Sequence, residues 1–177
     1  AGNIEKGTDL VPLLKEYMKP LEKETGKTYN DSEKPMLVKI VVSPNLAIVR
    51  YPTLHNYGLT ENTIPGFNNF VGENFSFHEQ QFLIKGCLEI ELKLADLEEN
   101  AKRKKEIENL LNQLKKEMDK AVPASKREET LEKYIAVLPK GFFTDAYVQL
   151  DLAIKQISKM LKIDEMNDDD AALIIQP

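Results

Sequence analysis

The chain is poor in the residues that most often announce chemistry. It holds one cysteine, Cys87, and two histidines, His55 and His78, among 177 residues. A lone cysteine excludes an internal disulfide and any zinc site built from several thiolates, and it leaves the redox compartment open. The two imidazoles lie far apart, and neither stands in a spacing such as His-Glu-x-x-His that sets two ligands on one helical face. Gly-x-Gly-x-x-Gly, Gly-x-x-x-x-Gly-Lys-Ser/Thr and Gly-x-Ser-x-Gly are all missing, so a nucleotide cradle or a hydrolase elbow has no support. No apolar run reaches the roughly 18 residues that a membrane-spanning helix needs. A membrane would be reached only through an anchor absent from this chain.

What is present describes a globular protein. A chain of this length removes roughly 70% of its extended surface from water on folding, without staples. Twenty-four basic against 29 acidic residues leave a net charge of -5, which argues against nucleic acid as a partner because phosphate neutralisation needs a basic face. The one tight basic run, Lys102-Arg103-Lys104-Lys105, is bracketed by Glu98, Glu99, Glu106 and Glu108 and reads as a solvated helix face.

Leu10, Val11, Leu14, Met18 and Leu21 recur at helical spacing behind Thr8 and Asp9, either of which can cap the first turn. Pro20 predicts a kink or restart, and Gly26 an end. Residues 36–42 and 46–51 are β-rich runs separated by Ser43-Pro44-Asn45, and residues 52–74, dense in Gly, Pro and Asn, read as a long loop. Between 82 and 94 every even position is apolar or glycine and most odd ones are Lys or Glu, which favours one long strand. The rival helix there aligns Leu83, Cys87, Ile90, Leu94 and Leu97 but leaves Ile84, Leu88 and Leu92 off its stripe and places Gly86 mid-helix.

Two capped helices follow. Asp96 with Glu99 opens the first, striped by Ile107, Leu110, Leu111, Leu114 and Met118; Ser125 with Glu128 opens the second, striped by Leu131, Tyr134, Ile135 and Leu138. Phe143, Tyr147, Leu150, Ile154, Ile157 and Leu161 then prefer a single helix over 142–162, with a strand over 142–149 followed by a helix as the rival. The expected class is α+β, an antiparallel-rich sheet with one long strand covered on one side by helices. The expected division is a helical segment over 1–30, one α+β domain over 31–163, and an acidic then apolar tail over 164–177, whose run Ala171-Ala172-Leu173-Ile174-Ile175 is either disordered or a short added strand.

No catalytic, cofactor-binding or metal-ligating residue can be named. Carboxylates are plentiful, yet no pair is singled out for acid-base work, and Asp168-Asp169-Asp170 lacks the alternating ligands of a calcium loop. Cys87 reads as a small structural residue and His78 as an exposed strand residue.

The order long strand, long capped helix, short helix, then Phe142-Phe143-Thr144-Asp145-Ala146-Tyr147-Val148-Gln149 resembles the periplasmic domain of the flagellar basal-body-associated FliL family over residues 80–149. Lys104-Lys105-Glu106-Ile107 is similar to the start of that family's long helix. The resemblance implies a strand at 142–149 and a non-enzymatic, membrane-anchored periplasmic protein, without cofactor, that self-associates or binds a protein partner, the flagellar stator. The competing reading is a cytoplasmic or surface-attached helical adaptor for a protein partner.

Overall fold

The computed structural model describes residues 9–42, 51–163 and 172–177. In chain order its elements are α1 (Val11–Thr25), β1 (Thr28–Tyr29), β2 (Pro35–Met36), β3 (Val38–Val42), β4 (Leu54–Tyr57), α2 (Ile64–Val71), α3 (Glu73–Leu97), α4 (Ala101–Met118), α5 (Arg127–Ile135), α6 (Ala146–Ile163) and β5 (Leu173–Gln176). The class is α+β, as expected, with a small antiparallel sheet in the order β4-β3-β5. Val38, Ile40 and Val42 of β3 turn inward, and the apolar run near the C-terminus adds β5 to its free edge, with Val42 opposite Leu173 and Lys39 opposite Gln176. The strand expected over 46–51 lies outside the described residues except for Tyr51, and so does the acidic stretch 164–170.

The long strand expected over 82–94 is instead the centre of the 25-residue helix α3. Leu83, Ile84, Cys87, Leu88, Ile90, Leu94 and Ala95 are all buried, so the apolar stripe is wide, covering both the even residues of the strand pattern and the odd residues of the helical one. Lys85 pairs with Glu89 at 3.3 Å across one turn, a contact that a strand would not make. Gly86 has open space where a Cβ would be and is carried by packing elsewhere on the helix.

Helix α4 turns back along α3 after a tight bend in which Glu99 adopts φ 56°. Its cap is Asn100, accepting from the Arg103 amide at 3.0 Å, so the helix begins later than the Asp96 expectation placed it. Asp96 stays in the last turn of α3, where hydrogen bonding and charge attraction from Lys104 hold its carboxyl below the usual range. Ile107, Leu111 and Leu114 are buried as the stripe requires.

Residues 52–74 are not a loop. Asn56 at φ 64° and Gly58 at φ 115° turn the chain sharply out of β4, and Pro65 falls in the first turn of α2, where a missing N–H costs nothing. Gly66 packs on the Ser32 and Glu33 carbonyl oxygens so closely that a Cβ would clash with both. The Gly, Pro and Asn residues punctuate short elements here and do not mark a coil.

Helix α1 has Leu10 at its N-cap position with no side-chain cap; Asp9, one residue earlier, accepts from the Val11 amide at 3.0 Å, and the helix ends on left-handed Gly26. It runs through Pro20 without a restart, because the interrupted bond lies on the exposed side, where water can serve the Glu16 carbonyl. Helix α6 starts four residues later than the expected 142, and residues 142–149 are a turn and a helix start, not the strand that the flagellar resemblance implies. Asp145 decides this by accepting from the Tyr147 and Val148 amides at 2.8 and 3.1 Å.

Candidate functional site

Two turns are locked together in the interior and shape one wall of a concavity. Gln149, fully buried on α6, accepts from the Gly58 amide at 2.7 Å and donates to the Leu59 and Phe142 carbonyls at 2.9 and 3.1 Å. The Glu61 amide donates to the Phe143 carbonyl at 2.9 Å, joining the same turns from the other side. Thr60 and Thr63, also buried, close the entry to α2: the Thr63 hydroxyl donates to the Gly58 carbonyl at 2.5 Å and accepts from the Thr60 amide at 2.9 Å. Glu61, the start of α2 and Phe143 are thereby held on one wall.

The facing wall is α5. Its position is set by Glu117 of α4, which accepts from Tyr134 and Lys133 at 2.7 Å each. Burial pushes the Glu117 carboxyl up, but bonds from Lys133, Tyr134 and Gln113 outweigh it and hold the group below the usual carboxylate range. At the start of α5 the Arg127 guanidinium lies 5.3 Å from the centre of the Phe77 ring, 3.6 Å from Glu73 and in hydrogen-bond contact with Asn74.

Between these walls is an open cleft of about 710 Å³, within the range of ligand-binding concavities. Ile64, Pro65, Phe77, Leu131, Ile135 and Phe143 make its apolar surface. Glu61, Glu73, Glu128 and Glu132 stand around it, with Arg127 as the single cation among the described residues that line it. Glu73 is partnered by Arg127, whereas none of the ion pairs among the described residues involves Glu61, Glu128 or Glu132. The Arg127 Nε and Asn68 Oδ1 atoms are buried at its edge without hydrogen-bond partners.

A second groove of about 430 Å³, between α3, α4 and α6, has most of its charged groups paired within the fold, although Asp151 Oδ1 beside it is buried without a partner. Arg103 donates to Glu91, Glu106 and the Val137 carbonyl, Gln156 donates to Glu91, Lys155 pairs with Asp151, and Lys159 pairs with Glu98. The basic run is thus partly a network that fastens α4 to α3, and only partly a solvated face.

The residues weighed for chemistry in the sequence do not meet. His55 is exposed on β4, with its ring 5.6 Å from that of Phe82, and His78 is exposed on α3, a helix residue and not the strand residue expected. Among the described residues no group of three His, Cys, Asp or Glu side chains is placed to hold a metal ion. Cys87 lies in the core 3.6 Å from the Tyr57 hydroxyl, and burial pushes its thiol up to about 12. The thiolate is the reactive form, so native protein is expected to resist iodoacetamide at neutral pH and to be alkylated only as it unfolds. Mass spectrometry across a urea series checks this, and prompt labelling of folded protein would contradict it. The cleft residues Arg127, Glu128 and Glu132 were visible in the sequence only as a capped helix start, because the facing residues Glu61, Glu73 and Phe77 lie 50 or more residues before Arg127.

The fold and cleft together define an α+β unit with an acid-rimmed, apolar concavity. No protein-family model matches the chain. The chain is 42% identical over 171 residues to the pyruvate, phosphate dikinase of Treponema pallidum (strain Nichols), a match covering 97% of this chain and 19% of that protein. The chain therefore spans about a fifth of the length of the curated relative it matches. This corrects the flagellar reading, since the match takes in the whole 80–149 stretch on which that resemblance rested. The expectation of a non-enzymatic protein falls with it, because the relative is named for an enzyme. The adaptor alternative is not favoured either. The periplasmic, membrane-anchored placement had no other support, and no helix among the described residues is long and apolar enough to cross a membrane.

Proposed function

We propose that this chain is a folded unit of a dikinase-type phosphotransfer enzyme acting on pyruvate and phosphate. The observation that carries the reading is 42% identity sustained over 97% of the chain. Physical features of the cleft bear on the part the unit plays. Four carboxylates around one guanidinium that is already engaged repel a phosphoryl group, so this concavity is suited to contacts other than the transferred phosphate. The unit then contributes a rigid, helix-rich support, braced by the Gln149 and Glu117 contacts, to an enzyme whose phosphoryl chemistry lies elsewhere.

The test is to express in full the gene that encodes this sequence and to supply the protein with pyruvate, phosphate, ATP and Mg²⁺. Phosphorus NMR is expected to show phosphorylated pyruvate and diphosphate forming together, one of each for every ATP converted to AMP. Folded protein that phosphorylates neither acceptor would overturn the proposal.

A further inference from the structure

We infer that the cleft between α2, α3 and α5 is a docking groove for a basic amphipathic polypeptide segment, one with an apolar stripe flanked by Lys or Arg. The apolar surface comes first. Phe77, Leu131 and Phe143 are 8%, 5% and 6% exposed, so their packing is already fixed and the groove they floor does not need to be opened. A preformed groove spares part of the ordering cost of association.

Charge decides the occupant. Glu61 stands on one wall, Glu73 at the mouth beside Arg127, and Glu128 and Glu132 one helical turn apart on the opposite wall. With Glu61, Glu128 and Glu132 outside every ion pair of the described residues, the rim holds negative charge that no ion pair among those residues neutralises. An acidic segment would be repelled, and a purely apolar one would leave this charge beside its backbone. A single small cation would meet only one part of a rim spread over both walls. A helix carrying apolar anchors with cations three or four residues apart meets both features, since its charges repeat at the same one-turn interval as Glu128 and Glu132. This role holds whether or not the protein phosphorylates pyruvate, so the two proposals fail separately.

The probe is a fluorescein-labelled Leu/Lys amphipathic peptide, with a Leu/Glu peptide of the same pattern as control, titrated against the 177-residue chain by fluorescence anisotropy. The Leu/Lys peptide is expected to bind and the Leu/Glu peptide not to. The double variant Glu128→Gln/Glu132→Gln should weaken binding by about fivefold or more, and higher salt should weaken it further. A remote pair, Glu16→Gln/Glu24→Gln on exposed positions of α1, changes the net charge equally and should leave binding unchanged. Ala136→Trp fills the groove from an exposed lining position and should weaken binding by about tenfold or more. Circular dichroism of each variant confirms that it is folded. Equal losses from the cleft and remote pairs, equal binding of the two peptides, or no binding of the Leu/Lys peptide at about 100 μM would overturn the inference.

Discussion

Replacing Gln149 with leucine should lower the stability of this protein more than any surface change and should loosen the cleft at the same time. The amide accepts from the Gly58 N–H and donates to the Leu59 and Phe142 carbonyls, and it is fully buried. Leucine has a similar volume, so the core stays filled while three backbone groups lose their partner without gaining water. Each buried group left unpaired costs about 1–3 kcal/mol. For a chain of this size each 1 kcal/mol shifts the melting temperature by about 2–4 °C, so a fall of roughly 6 °C or more is expected. A thermal melt followed by circular dichroism measures the loss. Amide exchange should rise at residues 58–63 and 141–145, the two turns the side chain joins. A variant that melts with the parent protein would show that these groups have other partners.

The second large effect distinguishes helix from strand over the stretch the sequence reading misassigned. Leu83→Ala and Ile90→Ala should each cost about 2–5 kcal/mol, because both side chains are buried on α3, 1% and 0% exposed. In a strand these residues have opposite parity and point to opposite faces, so only one of them would be buried against the covering helices. Leu92→Ala should cost less, since Leu92 lies at the edge of the core although it shares the even register of Ile90. Urea denaturation of the three variants gives the comparison. A large loss at Leu92 with a small one at Leu83 would restore the alternating strand.

The misassignment has a physical origin. A helix whose apolar stripe is wide enough to touch β4 on one side and α4 and α6 on others carries apolar residues at neighbouring positions such as Leu83-Ile84 and Cys87-Leu88. Interspersed Lys and Glu then leave an accidental period of two. The helical alternative aligns four residues that the structure buries, Leu83, Cys87, Ile90 and Leu94; against it stood Ile84, Leu88 and Leu92 off that stripe and Gly86 mid-helix, and the structure answers the first objection by burying Ile84 and Leu88 as well. One glycine costs about 1 kcal/mol in a helix, which the burial of ten residues on α3 outweighs. The resemblance around Phe142 to Gln149 failed for a similar reason. Its aromatic residues do face the interior, but Asp145 caps a helix there and Gln149 is turned inward to bind backbone, neither of which a linear motif reveals.

What the sequence by itself determined were the features that depend on local physics. The α4 stripe, the end of α1 at Gly26 and the run of α6 from Tyr147 to Leu161 all follow from periodicity and capping within a dozen or so residues, whereas the α+β class holds with a small sheet built on β3 and without the long strand expected at its centre. What only the tertiary structure decided were the features set by contacts between distant segments: the helical state of residues 82–94, the two short elements within 52–74, and the cleft. That cleft joins Glu61, Phe77, Arg127 and Phe143, which are brought together by buried hydrogen bonds spanning 90 residues and by a guanidinium over an aromatic ring 50 residues away. Local propensity differences amount to about 1 kcal/mol per residue at most for any residue but proline, and burial of a single large apolar side chain is worth more than that, so packing overrides propensity wherever the two conflict.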